Sequence, residues 1–124
     1  MHVLTDNQGQ PLNGTNSFDE PITYAVTRFH HDGTLAVMAV YDNEQGDVET
    51  YPLSINLAAY GYYPMPAHTF IDNTYLNTIK PLIEQEYLRI DDTIRYGTFN
   101  ATATDIEFLI PDIETRADEN CEDW

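Results

Sequence analysis

The chain has 124 residues, of which 42% are hydrophobic and 21% charged, and these proportions are typical of one globular domain that can bury a core. Its charge is unusual, because 21 Asp and Glu residues outnumber 5 Lys and Arg residues and the net charge is −16. This excess argues against direct binding to nucleic acid or to an anionic membrane, since both interactions depend on Lys and Arg.

The two ends of the chain are predicted to be polar and loosely ordered. Residues 1–20 are rich in Asn, Gln, Gly, Ser and Thr, which predicts a loose arm with one short strand at His2 to Thr5. Residues 111–124 carry six carboxylates and one arginine, which predicts an acidic, disordered tail. Residues 21–110, between these ends, are predicted to form a single folded domain.

The first part of this domain is predicted to be a three-stranded meander. Ile22 to His30 alternates large and small side chains, as a half-buried strand does, and Thr34 to Tyr41 is apolar on both faces, as a central strand is. Val48 to Leu57 alternates again. The Asp32-Gly33 pair supplies the positive φ that a tight hairpin needs, and Asp42 to Asp47 is predicted to form a second, longer turn around Gly46.

A proline and a tyrosine-rich loop follow the meander. Pro52 has no N–H to donate, which predicts an edge position or a bulge for the third strand. Ala58 to Thr69 combines prolines, a glycine and three tyrosines, and is predicted to be a structured loop. Tyr60, Tyr62 and Tyr63 offer large contact areas at low entropic cost. Packing over the sheet and contact with a partner are both consistent with these tyrosines.

One helix is predicted after this loop. Asp72, Asn73 or Thr74 is its predicted cap. Its apolar stripe has spacings of three and four residues and consists of Tyr75, Leu76, Ile79, Leu82, Ile83 and Tyr87. Pro81 either kinks the helix or opens its main part, which is predicted to reach about Leu88.

Two further strands complete the predicted fold. They fall within Thr93 to Ala103, divided around Gly97, and within Asp105 to Ile110, where Pro111 stops the alternation. The fold class is therefore predicted to be α+β. It consists of an antiparallel sheet of four to five strands, beginning with the N-terminal three-stranded meander, with one helix packed across it and polar ends.

Three short segments resemble those of a known family. They are Gly33-Thr34-Leu35-Ala36, Leu53-Ser54-Ile55-Asn56-Leu57 and Phe70-Ile71-Asp72-Asn73, in this order, and a closing strand follows them. Over about residues 22–108 the chain resembles a largely uncharacterised family of small acidic proteins carried by bacterial plasmids, phages and integrative elements. The resemblance implies a protein that blocks a host defence nuclease, and it implies no catalytic residues.

No motif in the sequence predicts catalysis, a metal site or a cofactor. The adjacent histidines of His30-His31-Asp32 point to opposite faces of a strand, so they do not reach one ion together. Asp42 to Asp47 differs from a calcium loop, because its glycine comes one place early and Leu53 replaces the twelfth-position glutamate. Cys121 has neither a cysteine partner nor basic neighbours that would activate it. We predict that the protein is not an enzyme and has no cofactor.

The cellular compartment is predicted to be the cytoplasm. The first thirty residues lack a basic start followed by an apolar run, and no stretch approaches the 18 apolar residues of a membrane span. A single cysteine is also consistent with a reducing compartment.

The charge predicts a basic protein partner. A strongly acidic domain is attracted to the basic channels in which other proteins bind nucleic acid, and its mean linear charge density is within about a factor of two of that of duplex DNA. We predict a DNA mimic of the anti-CRISPR or anti-restriction type, an inhibitor that competes with nucleic acid for the channel of a host defence protein. The residues predicted to bind this partner are Asp42, Glu44, Asp47, Glu49, Tyr60, Tyr62, Tyr63, Glu84, Glu86, Asp91 and Asp92.

Two alternatives are consistent with the same sequence. An immunity protein for a basic nuclease toxin would use nearly the same physics. A structural or adaptor module, which includes a homo-oligomer, would carry its charge only for solubility. The sequence leaves open which protein is bound and whether the acidic tail takes part.

Overall fold

The architecture consists of two antiparallel sheets and two helices. A computed structural model describes residues 2–6, 8–16, 18–30 and 32–118. Its elements are, in chain order, β1 (His2–Val3), β2 (Asn13–Thr15), β3 (Pro21–Arg28), β4 (Leu35–Asp42), β5 (Val48–Pro52), β6 (His68–Asp72), α1 (Leu76–Glu84), β7 (Leu88–Tyr96), β8 (Ala101–Phe108) and α2 (Ile113–Asp118).

The predicted α+β class and the predicted meander are both confirmed. Strands β3, β4 and β5 pair consecutively and antiparallel, and β1 and β2 both pair with the outer side of β3 to complete five strands. The remaining strands form a separate sheet in the order β6-β8-β7. Pro52 ends the edge strand β5, as its missing N–H predicts.

The segment after β5 joins the two sheets. The N–H groups of Leu53 and Ser54 both donate to the carbonyl of Val37, so two residues face one, as in a β-bulge. The N–H of Ile55 then donates to the carbonyl of Phe70 on β6. Because of this change of partner, β5 ends at Pro52, five residues before Leu57, which was the predicted end of the strand. The chain then continues into the second sheet.

The first twenty residues contribute to the core, which the prediction of a loose arm missed. β1 pairs with β3 through His2 and Val26, and β2 continues along the same edge through Gly14 and Ile22. Between them Leu4 and Leu12 are 0% and 5% exposed. Two isolated leucines carry no periodic signal, so their burial follows only from the pairing with β3.

One turn geometry occurs three times in the described residues. In each turn an Asx side chain accepts from the N–H groups two and four residues later, and its backbone N–H donates to the carbonyl four residues later. The fourth residue of each turn has positive φ, as in a three-residue hairpin loop with a bulge. The turns begin at Asp6, Asn16 and Asn43, and their fourth residues are Gly9, Asp19 and Gly46.

Asp19 is the one of these three fourth residues that is not a glycine, and exchanging Asp and Gly at two of these positions should change the stability in opposite directions. Its φ is 60°, where a Cβ atom is strained, whereas Gly46 occupies the equivalent place with φ 82°. We expect Asp19→Gly to raise the free energy of unfolding by about 0.5–1 kcal/mol and Gly46→Asp to lower it by a similar amount. Urea denaturation of both variants checks this. Changes of the same sign in the two variants would contradict it.

Helix α1 confirms the predicted helix with shorter bounds. Asp72 caps a 3-10 turn at Asn73–Tyr75 by accepting from the Thr74 N–H, and α1 follows directly. Pro81 lies inside the helix, which ends at Glu84 and does not reach Leu88. Its residues Thr78, Ile79 and Leu82 are buried, and Ile79 and Leu82 belong to the core that both sheets share.

Helix α2 occupies part of the segment predicted to be a disordered tail. Ile113 and Ala117 are buried, and the guanidinium of Arg28 holds the helix on β3. This guanidinium donates to Asp118 at 2.6 Å and to Glu114 at 2.8 Å. The carboxylates of Glu114 and Asp118 therefore have a structural partner. The predictions for residues 119–124, including Cys121, lie outside the described residues. Neither helix of the described chain has the length and hydropathy needed to cross a lipid bilayer.

Candidate partner-binding site

Two turns emerge side by side from one end of the five-stranded sheet. β2 reaches Thr15 opposite Pro21, and β4 reaches Asp42 opposite Val48. Because β3 and β4 are antiparallel, the β2–β3 turn and the β4–β5 turn lie at the same end. The turns and the strand residues next to them carry six carboxylates, which we call the acidic end: Asp19, Glu20, Asp42, Glu44, Asp47 and Glu49.

The acidic end has no basic neighbour among the described residues. None of its six carboxylates forms an ion pair within the described chain. The five basic residues belong to other elements: Arg28 at the far end of β3, Lys80 on α1, Arg89 and Arg95 on β7, and Arg116 on α2. No ion pair within the described residues therefore compensates the negative charge here, and all six carboxylates are on exposed residues.

Hydrogen bonds hold two of these carboxylates in place. The Tyr41 hydroxyl donates to Glu49 Oε2 at 2.7 Å, and the Asn16 amide donates to Glu20 Oε1 at 3.1 Å. The hydrogen bonds from Tyr41 and Asn43 hold the pKa of Glu49 below its ordinary value. Glu49 is thus fully ionised at neutral pH, as a phosphate substitute must be.

A cleft lined by aromatic side chains adjoins the acidic end. Its residues, which we call the tyrosine cleft, are Asn16, Phe18, Glu20, Tyr41, Tyr51 and Tyr75, and its volume is about 300 Å³. The Tyr51 ring lies with its centroid 5.8 Å from Tyr41 and 5.7 Å from Tyr75, and Phe18 is 81% exposed. Aromatic faces beside a carboxylate are a setting in which a guanidinium binds well.

The predicted tyrosine loop lies at the other end of the sheet. The Tyr62 side chain lines a pocket with Phe29 and Thr34, which follow the far end of β3. An eight-residue strand separates this end from the acidic end by about 23 Å. Tyr60 packs on Tyr96 with ring centroids 5.1 Å apart, and the Tyr62 hydroxyl donates to the Arg95 carbonyl, so both have structural roles.

The other predicted partner-binding residues do not join the acidic end. Tyr63 is 64% exposed on the distant loop. Glu84 is the last residue of α1, and Glu86 follows the helix and lines a different pocket with Asp6 and Arg116. Asp91 and Asp92 lie on β7 in the second sheet. All five are exposed, but the structure distributes them over separate surfaces.

Sequence reasoning missed Asp19, Glu20 and the tyrosine cleft. The segment around Glu20 was predicted to be an arm, so nothing placed it next to Asp42. The available signal was the Asn16 turn, whose Asn-x-x-Asp pattern matches the Asn-x-x-Gly pattern at Asn43. Two equivalent turns predict two hairpins, and antiparallel pairing then brings their tips together.

Comparison with protein-family models gave no match, and comparisons with curated proteins and with solved structures gave none either.

Proposed function

We propose that this protein is a non-enzymatic inhibitor that enters the basic nucleic-acid channel of a host defence protein, such as a CRISPR effector or a restriction enzyme. The observation that carries the proposal is the acidic end. Six carboxylates lie on two adjacent turns and the strand residues next to them, and neither turn contains a Lys or Arg, nor do β2, β4 and β5. Such a surface is electrostatically complementary to a channel lined by Lys and Arg.

Competition with nucleic acid is the proposed mechanism. Carboxylates on the two turns replace phosphates as partners of the channel's basic side chains, so binding is steered by charge and weakened by salt. The exposed tips of the hairpins suit entry into a groove. The protein is proposed to act in the cytoplasm, where such a target would be found.

Charge alone does not give specificity, and the tyrosine cleft is proposed to supply it. An arginine from the rim of the channel would place its guanidinium against Tyr41 and Tyr51 while bonding to Glu20. Arg and aromatic side chains dominate the energetics of many interfaces, and a desolvated cleft strengthens their contact. Phe18, which is largely exposed, would become covered by the partner.

The test is displacement of labelled duplex DNA from proteins with basic channels, for example a Cas9–guide RNA complex and restriction endonucleases. We expect the protein to displace DNA from at least one of them at 50 mM salt. Between 50 and 200 mM salt, its own affinity should fall by about tenfold or more. Failure to displace DNA from any of these proteins at low salt would contradict the proposal.

The alternative as an immunity protein rests on the same acidic end, and the same assay distinguishes it. A basic nuclease toxin would be bound with 1:1 stoichiometry and its cleavage stopped, while CRISPR and restriction proteins would be unaffected. The adaptor alternative would show displacement from none of these proteins.

A further inference from the structure

A second cluster of polar side chains lies in the three-stranded sheet, away from the acidic end. The His68 Nδ1 is 2.8 Å from the Asp105 Oδ1, and a carboxylate oxygen of Asp91 completes a group whose donor atoms all lie within 4.8 Å of one another. Each strand of the sheet contributes one donor: β6 contributes His68, β7 contributes Asp91 and β8 contributes Asp105.

The cluster is closed on one side and open on the other. His68 and Asp105 are 7% and 9% exposed, whereas Asp91 is exposed. A small ion therefore has a route from solvent to two nearly buried donors. Buried groups of this kind have fixed orientations, which lowers the cost of arranging them around a ligand.

A β-bulge concentrates charge at this point. The register passes from Ile90 opposite Ile106 to Asp92 opposite Asp105, so two aspartates of β7 face one aspartate of β8. Like charges directly opposite one another destabilise a sheet. The Asp92 carboxylate turns to accept from the Thr93 N–H, which leaves Asp91 as the one nearest His68 and Asp105.

No Lys or Arg side chain forms an ion pair with these aspartates in the described chain. The Arg89 guanidinium pairs with Glu107 instead, and within the described residues the imidazole of His68 is the side chain that contacts Asp105. A bound cation would offset the repulsion between the carboxylates of Asp91 and Asp105. The bulge and the missing counter-charge are independent of the donor distances, and both indicate a positively charged ligand.

We propose that His68, Asp91 and Asp105 bind a divalent transition-metal cation that links the three strands of the second sheet. The His68 Nδ1 and the Asp105 Oδ1 now share a proton in a hydrogen bond of 2.8 Å. Metal ligands are deprotonated, so binding would release this proton and separate the two atoms to about 3.3 Å, the spacing of adjacent donors in a tetrahedral site with metal–ligand distances of about 2.0–2.1 Å. Rotation of the exposed Asp91 side chain brings the third donor into range. Water would occupy the remaining position.

The donor set selects the class of metal. One imidazole nitrogen and two carboxylate oxygens suit Zn²⁺, Mn²⁺ or Fe²⁺, whereas Mg²⁺ and Ca²⁺ prefer oxygen donors alone. The proposal differs from the histidine pair considered in the sequence, because His30 is not among the donors. It also does not depend on the inhibitor function, since it concerns another sheet.

The experiment measures thermal unfolding and calorimetric binding of the full chain, after treatment with a chelator, in Zn²⁺, Mn²⁺ or Mg²⁺. We expect one Zn²⁺ per chain and a Tm increase of about 5 °C or more at saturating Zn²⁺, with a much smaller effect of Mg²⁺. Cys121→Ser serves as the background, so that the thiol does not contribute a competing site.

Substitutions at the proposed ligands test whether they bind the metal. Asp91→Asn changes an exposed residue and should weaken Zn²⁺ binding by about tenfold or more, and His68→Gln should abolish it. Asp47→Asn, on the acidic end, is the matched control and should bind Zn²⁺ as the unaltered chain does. Should His68→Gln fail to fold, Asp91→Asn still decides. Equal Zn²⁺ binding by Asp91→Asn and Asp47→Asn, or an equal effect of Mg²⁺, would overturn the proposal.

Discussion

Replacing Asp42, Glu44, Asp47 and Glu49 by their amides is expected to weaken displacement of DNA from a basic channel by about 100-fold. The four changes take the net charge from −16 to −12 and leave the shape of the turn almost unchanged. Amides still accept hydrogen bonds, so Glu49→Gln keeps its contact with the Tyr41 hydroxyl. The loss should appear mainly in the association rate and should shrink at high salt, because long-range attraction is what has been removed.

A second quadruple variant provides a control with the same net charge. Glu84, Glu86, Asp91 and Asp92 are also exposed, but they lie away from the acidic end. Their conversion to amides should reduce displacement by less than about tenfold, because long-range steering weakens only slightly. Equal losses in the two variants would show that total charge matters and that the acidic end does not. Displacement assays in the absence of added metal keep the result independent of the cation site.

Gly14→Ala is expected to lower the free energy of unfolding by about 2–4 kcal/mol. Gly14 lies on β2 directly over Tyr24, and a Cβ atom built there would be 1.9 Å from the Tyr24 Oη. That hydroxyl donates to the Thr78 carbonyl at 2.6 Å and joins the sheet to α1. Burial raises the pKa of Tyr24 to about 12, so the hydroxyl remains a donor throughout the neutral range.

The structure has no space for the added methyl group. Tyr24 is 0% exposed, so its ring cannot move without displacing α1 or breaking the hydrogen bond to Thr78. Thermal or urea denaturation measures the loss, and Thr15→Ala on the same short strand is the control, with an expected change below about 0.5 kcal/mol. A similar small change for Gly14→Ala would show that β2 can move away from Tyr24.

The meander was predictable because its signals are local. Alternation in β3, an apolar run in β4 and glycines at the turns each fall within a few residues, and pairing of neighbouring strands follows. β6 was missed for the opposite reason. His68–Asp72 is five residues long, follows a proline-rich loop and pairs with β8, which lies some thirty residues further along the chain. Non-local pairing of this kind leaves no periodic trace in a short strand.

In the candidate sites, too, the local features could be predicted from the sequence and the non-local contacts could not. The charge of the β4–β5 turn was visible in the sequence, but its junction with Asp19 and Glu20 depends on the strands that pair around Pro21. His68 and Asp105 are 37 residues apart, and each alone resembles an ordinary polar residue. Their meeting depends on β6 pairing with β8, which sequence periodicity did not reveal.

The pairing of residues 2–15 with β3 has a practical consequence for anyone trimming the chain. A product that starts at Pro21 would leave the outward N–H and C=O groups of β3 without their hydrogen-bonding partners and would uncover the contact surface of Leu4 and Leu12. A bare apolar edge of that kind recruits another molecule's strand. Such a truncation should therefore self-associate or precipitate more readily than a chain that keeps β1 and β2.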